Sequence, residues 1–492
     1  MRVRGALQYT VAALIVAYLI TTLSTLKSLS TLPSQSNHDA LNTFVKTERT
    51  TQTTPYTNHR ILRIVNKLEG LAGKRYYVYE NVKLTLPHIR AKSKDNTAIS
   101  TWGNKNWKGR FRPYAQGELR FYEALEQYKN SNLRTFNISE ADFVLVPIPL
   151  GAAVFWGEQI DMKSAFQHLF DTPFFQQYPE KHVYITNNER LLRGDLLSLV
   201  HFRDCCGITK ETLSKISSGT LVKDFDAQYY RQYLVSQPKE NDWNTKENVD
   251  LARPTFRHHW NLGYSHEASH PNYNFSIATF DNWKTKKITF FYHTVNDKSQ
   301  NNSTIYRHAL FQSNMTERNK LIQPSSVGFL IPYTQWLREI SDSKFCIVIR
   351  GDNPSSRSMF VAIRLGCIPV IVSDALPYYQ PMFRSILQYN DFSISISEAE
   401  FLFNPAETIN EAITSMSDAD LRSKLEGLAL LQRIVVLDHA SPLFVPAFVH
   451  ETIARQRDNP LQFLFGAAFR PGGGIDRSNN IMPKDIKYHL GP

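Results

Sequence analysis

The sequence of 492 residues predicts an α/β protein built in two halves. Two observations carry that reading. Nearly continuous apolar runs such as "ADFVLVPIPL" and "CIPVIVSD" have the composition of strands buried on both faces, as in a parallel sheet. Segments with helical spacing separate such runs, and regular alternation of strand and helix marks an α/β domain. An apolar content of 42% supplies material for more than one core, and at ~150 residues per domain two or three are expected.

The N-terminus is of another kind. Arg2 and Arg4 precede an uncharged stretch from Gly5 to Leu26, close to the ~20 residues that cross a bilayer. Its strongly apolar part, Val11 to Ile20, is shorter, so a cleaved signal peptide is the rival reading. No clear Ala-x-Ala cleavage site follows, which favours a signal anchor. The preceding arginines keep the N-terminus cytoplasmic. Residues 1–30 are therefore read as tail and anchor helix, and residues 31–72, dense in Ser, Thr, Asn and Gln, as a flexible stem. N-x-S/T triplets at Asn137, Asn274, Asn301, Asn302 and Asn314 fit glycosylation in a secretory lumen.

The first half spans residues 73–280. It opens with the β-rich run "GKRYYVYE", followed by "GELRFYEALEQYKN", in which Leu119, Tyr122 and Leu125 share a helical face with Phe121 beside them. The strands "ADFVLVPIPL" and "KHVYITNNE" come next. Residues 207–280 are more polar and read as connecting structure. The second half, residues 281–445, starts at "KKITFFYHT". It continues through "SKFCIVIRGD", the helical "SRSMFVAIRLG" and the strand "CIPVIVSD". In that helix Met359, Ile363 and Gly366 lie along one side with Phe360 adjoining. A strand–loop–helix–strand unit of this kind predicts a parallel pair. Residues 446–492 are less regular and read as a C-terminal extension.

Bulk chemistry excludes several classes. The net charge of +11 suits a nucleotide phosphate or an acidic polysaccharide, or is simply a mildly basic surface. The basic residues are spread out, and no nucleic-acid module signature or zinc spacing is present, so no nucleic acid is expected as partner. Four cysteines, Cys205, Cys206, Cys346 and Cys367, do not make a disulfide scaffold. His258, His259, His266 and His270 form a loose cluster without diagnostic metal spacing.

The chemistry concentrates in "IRGDNPSSRSM", Ile349 to Met359. This loop leaves the C-terminal end of a buried strand and enters a helix, and ligands of open α/β sheets bind at that edge. Ser355 and Ser356 are good N-cap residues after Pro354. The helix N-terminus offers unpaired N–H groups and partial positive charge to a diphosphate. Gly351 permits close backbone approach, and Arg350 and Arg357 bracket the loop where phosphate oxygens would lie. A capped helix with exposed arginines is the plainer alternative. Neither a P-loop nor a G-x-G-x-x-G fingerprint occurs. Arg-Gly-Asp also occurs at residues 193–195, in an apolar stretch, and two copies in unrelated settings argue against an adhesion signal.

The segment "SKFCIVIRGDNPSSRSMFVAIRLGCIPVIVSD" resembles the exostosin-like glycosyltransferases (family 47), with their "SKFCL-P-GD-PSS" loop, helix and "GC-PVI-SD". "RYYVYE", "YAQGELRFYEAL" with "NLRTFNISEADFVLVPI", and "ITFFYHT" with "YRHALF" are similar to upstream blocks of that family, so the resemblance covers roughly residues 73 to 400. It implies a GT-B fold, two Rossmann-like domains facing a cleft, in a type II Golgi membrane protein with a lumenal catalytic domain. It implies inverting transfer from a nucleotide-sugar, usually a UDP-sugar held by the C-terminal domain, to a glycan or polysaccharide acceptor on the N-terminal domain. No metal or other cofactor would be required. Homo- or hetero-oligomers are compatible with it.

By that resemblance Arg307 takes the Arg-x-x-Leu position suited to the diphosphate. Gly351, Asp352, Ser355 and Ser356 match the donor loop, with Arg350 and Arg357 flanking it, and Asp374 follows the next strand, where sugar or ribose hydroxyls would lie. Glu118 stands where the family has an early Glu and is the candidate acceptor-side base, with Glu80 and His182 as rivals near strand ends. The sequence departs from the family in the donor helix, where Ser358 and Val361 stand in place of an arginine and an acidic residue, and after Asp374, where "ALPYYQPMFRSIL" replaces "ELPF". A catalytically silent glycan-binding or partner subunit is therefore the alternative function. A metal-dependent GT-A site would use Asp224-Phe-Asp226 or Asp418-Ala-Asp420; Asp418 fits a helix start better, and neither follows an apolar strand.

Overall fold

The computed structural model describes residues 56–94, 112–129, 132–152, 159–186, 209–223, 258–263, 275–293, 306–307, 309–310, 320–322, 333–349, 356–374, 376 and 382–457. Several expectations lie outside these residues: the anchor and most of the stem; Arg350, Gly351, Asp352 and Ser355; Asn274, Asn301, Asn302 and Asn314; His266 and His270; Cys205 and Cys206; Asp224 and Asp226. Among the described residues no helix is long and apolar enough to cross a membrane.

Two parallel five-stranded sheets organise the chain. The first holds β1 (Tyr76–Val78), β2 (Phe143–Val146), β3 (His182–Thr186), β4 (Thr220–Lys223) and β5 (His258–Asn261), in that spatial order. The second holds β6 (Ile288–His293), β7 (Lys320–Ile322), β8 (Ser343–Ile349), β9 (Ile368–Val372) and β10 (Ile394–Ile396), in the order β10-β9-β8-β6-β7. Phe345 of β8 pairs with Phe290 of β6 on one side and Ile368 of β9 on the other. Every residue of β2, β3 and β9 is buried, as the apolar runs predict for strands covered on both faces.

A single bridge gives the first sheet its sense. Arg134 pairs in parallel with Tyr76, on the side of β1 away from β2. The Tyr76 amide donates to Leu133 O at 2.8 Å, and the Thr135 amide to Tyr76 O at 2.9 Å. Numbered by position in the chain, the first sheet then reads 2-1-3-4-5-6. The second reads 2-1-3-4-5. Both reverse direction next to their first strand, the doubly wound arrangement in which ligands lie outside the strands' C-terminal ends at the reversal.

The helices used below are α1 (His59–Glu69), α2 (Arg112–Gln127), α3 (Gln159–Phe170), α4 (Tyr333–Ser341), α5 (Arg357–Arg364), α6 (Glu398–Phe403), α7 (Asp418–Val435) and α8 (Phe444–Arg457). In α2 the predicted face is buried: Leu119, Phe121, Tyr122 and Leu125 are all at most 2% exposed. In α5 Met359, Phe360 and Ile363 are buried likewise. Gly366 follows that helix at φ +63°, a left-handed turn that suits glycine.

Three regions differ from the sequence expectation. Residues 59–69 form a helix, not a stem: Ile61, Val65 and Leu68 line one buried face, and the Asn58 side chain caps it by accepting from the Arg60 amide at 2.9 Å. The start of α1 is tied to α7, where the Glu426 carboxylate accepts the amides of Thr57 and Asn58 at 2.9 and 2.7 Å. The stretch read as connecting structure contains β4, β5 and a helix at Lys210–Ile216. The extension begins with α8, buried along most of its length.

That last helix closes the first half. Phe444 stacks on Phe121 of α2 at 5.3 Å, and Phe448 meets Trp260 of β5 at 5.1 Å. Each such buried ring contributes ~1.5–3 kcal/mol. Trp260 also contacts Phe383 of the second half at 5.3 Å, and Asn261 bridges Met382. Across β8 and the entry to β9, Cys346 and Cys367 form a disulfide with Cα atoms 5.8 Å apart.

Candidate donor and acceptor edges

All strands within a sheet are parallel, so everything that follows a strand emerges at one edge. In the second sheet the reversal lies between β6 and β8. β8 ends there, and Ser356 stands at the N-cap of α5 with extended backbone. The Ser356 side chain makes no capping bond; its Oγ lies 2.7 Å from Ser358 Oγ instead. Of the two serines expected to cap the helix, Ser356 does not, and Ser355 lies outside the described residues. Arg357 opens the helix as its first residue, and its side chain lies outside the described set.

Arg307 follows β6 and is half-buried, with its Nε enclosed and without a hydrogen-bond partner. A buried guanidinium nitrogen left unpaired is costly, so the position is suited to an incoming anion. Its neighbour Tyr306 is buried and donates its hydroxyl to Glu398 Oε2 at 2.5 Å. Glu398 opens α6 after β10 and is itself buried. Its backbone amide donates to Asp374 Oδ1 at 3.3 Å. Asp374, exposed after β9, therefore braces the start of α6. Sequence reasoning singled out Arg307 and Asp374 but not Tyr306 or Glu398. The available signal was the Glu directly after the strand "FSISISE", at the same edge as the other candidates.

In the first sheet the reversal lies between β1 and β2. Glu118 of α2 sits beside the exit of β2, fully buried, and accepts the Gly151 amide at 2.7 Å. Tyr122, one turn further along, donates to Ile185 O at 3.0 Å and approaches Ile148 O at 3.2 Å, tying the ends of β2 and β3 together. Burial raises its phenol well above the ordinary value. Glu80 follows β1 and pairs with Arg134 at 2.9 Å while staying largely exposed. His182 is elsewhere: it begins β3 and so lies at the opposite edge of the sheet. Its Nδ1 and Nε2 lie 3.0 Å from Tyr178 O and Tyr79 Oη, and burial lowers its pKa to about 4. The rival base is thus a structural, neutral imidazole remote from Gly151.

The remaining motifs resolve simply where they are described. Asn137 is exposed on a surface turn, open to modification, and its Oδ1 accepts from the Ser139 amide at 3.2 Å. Asp418 opens α7 behind a reciprocal cap between Ser417 and Asp420, so that Asp-x-Asp serves a helix start. His258 and His259 are consecutive residues of β5. Among the described residues no group of three or more His, Cys, Asp or Glu could hold a metal ion.

Comparison with known proteins bears on this geometry. Residues 227–412 match the Exostosin GT47 domain, a stretch that contains β5 to β10 and the Arg307, Ser356, Asp374 and Glu398 positions. The chain is 31% identical over 84 residues to "Xyloglucan-specific galacturonosyltransferase 1" of Arabidopsis thaliana, covering 17% of this chain and 13% of that protein. It is 37% identical over 59 residues to "Probable xyloglucan galactosyltransferase GT20" of the same plant, covering 12% and 10%. The matched stretches are thus a small part of either relative.

Proposed function

We propose that this chain, which matches the Exostosin GT47 domain over residues 227–412, is an inverting glycosyltransferase of GT-B type, moving a sugar from a nucleotide-sugar to a glycan or polysaccharide. The observation that carries the reading is the reversal between β6 and β8. It puts Arg307, with an unpaired buried Nε, at the same sheet edge as the start of α5, which the Ser356 side chain does not cap. A diphosphate placed there meets a cation and the positive end of a helix, the two groups that stabilise the negative charge gathered by the leaving group. The donor is a UDP-sugar and the acceptor a polysaccharide hydroxyl. The names of the two plant relatives support a polysaccharide acceptor.

On the acceptor side the corresponding reversal, between β1 and β2, is the place for the glycan. Glu118 acts there through Gly151, fixing the loop that leaves β2, rather than as the proton acceptor. The Cys346–Cys367 disulfide and the exposed Asn137 sequon support an oxidising lumen, the Golgi, entered by way of the Gly5 to Leu26 anchor.

One observation favours the silent-subunit reading. Ser358 is engaged with Ser356, and Val361 is buried at 2% exposure, where the family has charged residues. The test separates the two. Nucleotide-sugars, nucleoside diphosphates and glycans are screened for thermal stabilisation of the full chain, since a bound ligand raises stability by mass action. Release of UDP is then followed with and without polysaccharide acceptors. Stabilisation together with release supports the enzyme. Stabilisation by glycans alone supports the silent subunit. Arg307→Ala is expected to weaken diphosphate binding by about 10- to 100-fold, the range of a charge-assisted hydrogen bond.

A further inference from the structure

Tyr306 and Glu398 come from opposite sides of the donor edge. Tyr306 follows β6 and Glu398 follows β10, with β8 and β9 between them. At ~4.8 Å per strand the exits of β6 and β10 stand about 14 Å apart. Yet the Tyr306 hydroxyl lies 2.5 Å from Glu398 Oε2. The segment holding Tyr306 and Arg307 is therefore drawn back across the ends of β8 and β9, toward the side on which α5 begins. Tyr306 and Leu310 anchor that turn in the core, at 6% and 0% exposure. Glu398 is anchored in turn through its amide to Asp374. A hydroxyl-to-carboxylate bond shielded from water is short, strong and directional.

We propose that Glu398, acting through Tyr306, is a positioning residue that holds Arg307 over the donor's diphosphate. This rests on the glycosyltransferase reading above. The carboxylate touches neither the sugar nor the phosphate. Its function is to set where the guanidinium stands, so its loss is felt by the diphosphate and not by the nucleoside. Asp374 belongs to the same brace, which gives the exposed carboxylate after β9 a role without any direct sugar contact.

The test uses the full chain and measures affinity for UDP and GDP, with uridine and guanosine as controls lacking phosphate. Tyr306→Phe keeps the buried ring and removes the hydroxyl. It is expected to weaken diphosphate binding about tenfold, equivalent to ~1.4 kcal/mol, and to leave nucleoside binding unchanged. Glu398→Ala is expected to do the same, while Glu398→Gln, which still offers an accepting oxygen, retains most of the affinity. In an Arg307→Ala background Tyr306→Phe is expected to have no further effect, because the brace has nothing left to position. Equal losses for diphosphate and nucleoside, or full additivity with Arg307→Ala, overturn the positioning role while leaving the glycosyltransferase reading intact. If the unaltered chain binds neither diphosphate, the glycosyltransferase reading fails and the brace fails with it.

Discussion

The Glu118 carboxylate accepts the Gly151 amide at 2.7 Å from a position with no exposure to solvent. A buried amide deprived of its acceptor costs ~1–3 kcal/mol. Glu118→Ala is therefore expected to lower stability by about that amount in urea titration. Glu118→Gln keeps an accepting oxygen, and its transfer rate is expected to stay within about threefold of the original. A rate loss of a hundredfold or more at unchanged stability in Glu118→Gln would make this carboxylate the catalytic base after all.

Gly263 of the first half lies close against the Phe360 ring of the second. A Cβ at Gly263 would lie 2.3 Å from Phe360 Cζ, and the glycine stands at φ +63°. Phe360 is a buried residue of α5, the helix at the proposed diphosphate site. Gly263→Ala is expected to cost ~1–3 kcal/mol of stability and to weaken nucleoside diphosphate binding with it. Calorimetry on the folded variant reads the second effect, and undisturbed affinity would show that α5 absorbs the shift.

The Cys346–Cys367 disulfide closes a span of 21 residues that includes α5. Constraint of the unfolded chain by such a loop is worth about 3 kcal/mol. The paired Cys346→Ala, Cys367→Ala variant is expected to melt several degrees lower. Reductant should lower the melting point of the unaltered chain but not of the variant. A reductant effect that persists in the variant would assign the sensitivity to Cys205 or Cys206.

His182 titrates against the fold. Its pKa is 6.5 in the ordinary state and about 4 in the folded protein, because burial disfavours the charged ring. Between those values the unfolded chain binds the extra proton, so stability rises with pH. Its contribution is complete above about 6.5 and is lost as pH falls through 4, a difference of roughly 3 kcal/mol. His182→Gln should flatten the stability profile across that window. His439, lowered to about 4 by burial and then by Arg433, supplies a second, independent component that survives the substitution.

Long, strongly patterned segments were legible in the sequence. "ADFVLVPIPL", "KKITFFYHT" and "SKFCIVIRGD" declare β2, β6 and β8 because burial on both faces favours apolar residues. Short strands were not. β5 reads "HHWN" and β7 reads "KLI", and such segments become strands only because a neighbouring strand is there to pair with them. The same holds for strand order, which no local pattern encodes. Arg307 was found by its place in a motif, but its relation to Glu398 depends on which strands lie between β6 and β10. His182 illustrates the converse: proximity to a strand end was visible, and which end was not weighed.

The position of α8 carries a consequence for how the protein is made. Ribosomes deliver the first sheet long before residue 444, and domains that emerge early usually fold as units. Here Trp260 and Phe143 await Phe448, which packs on both rings only after nearly the whole chain has been synthesised. The nascent first half must therefore travel with an open apolar flank, sheltered by chaperones, until α8 arrives to seal it. A truncation before Phe444 should be recovered as chaperone-bound or aggregated material rather than as a smaller soluble domain.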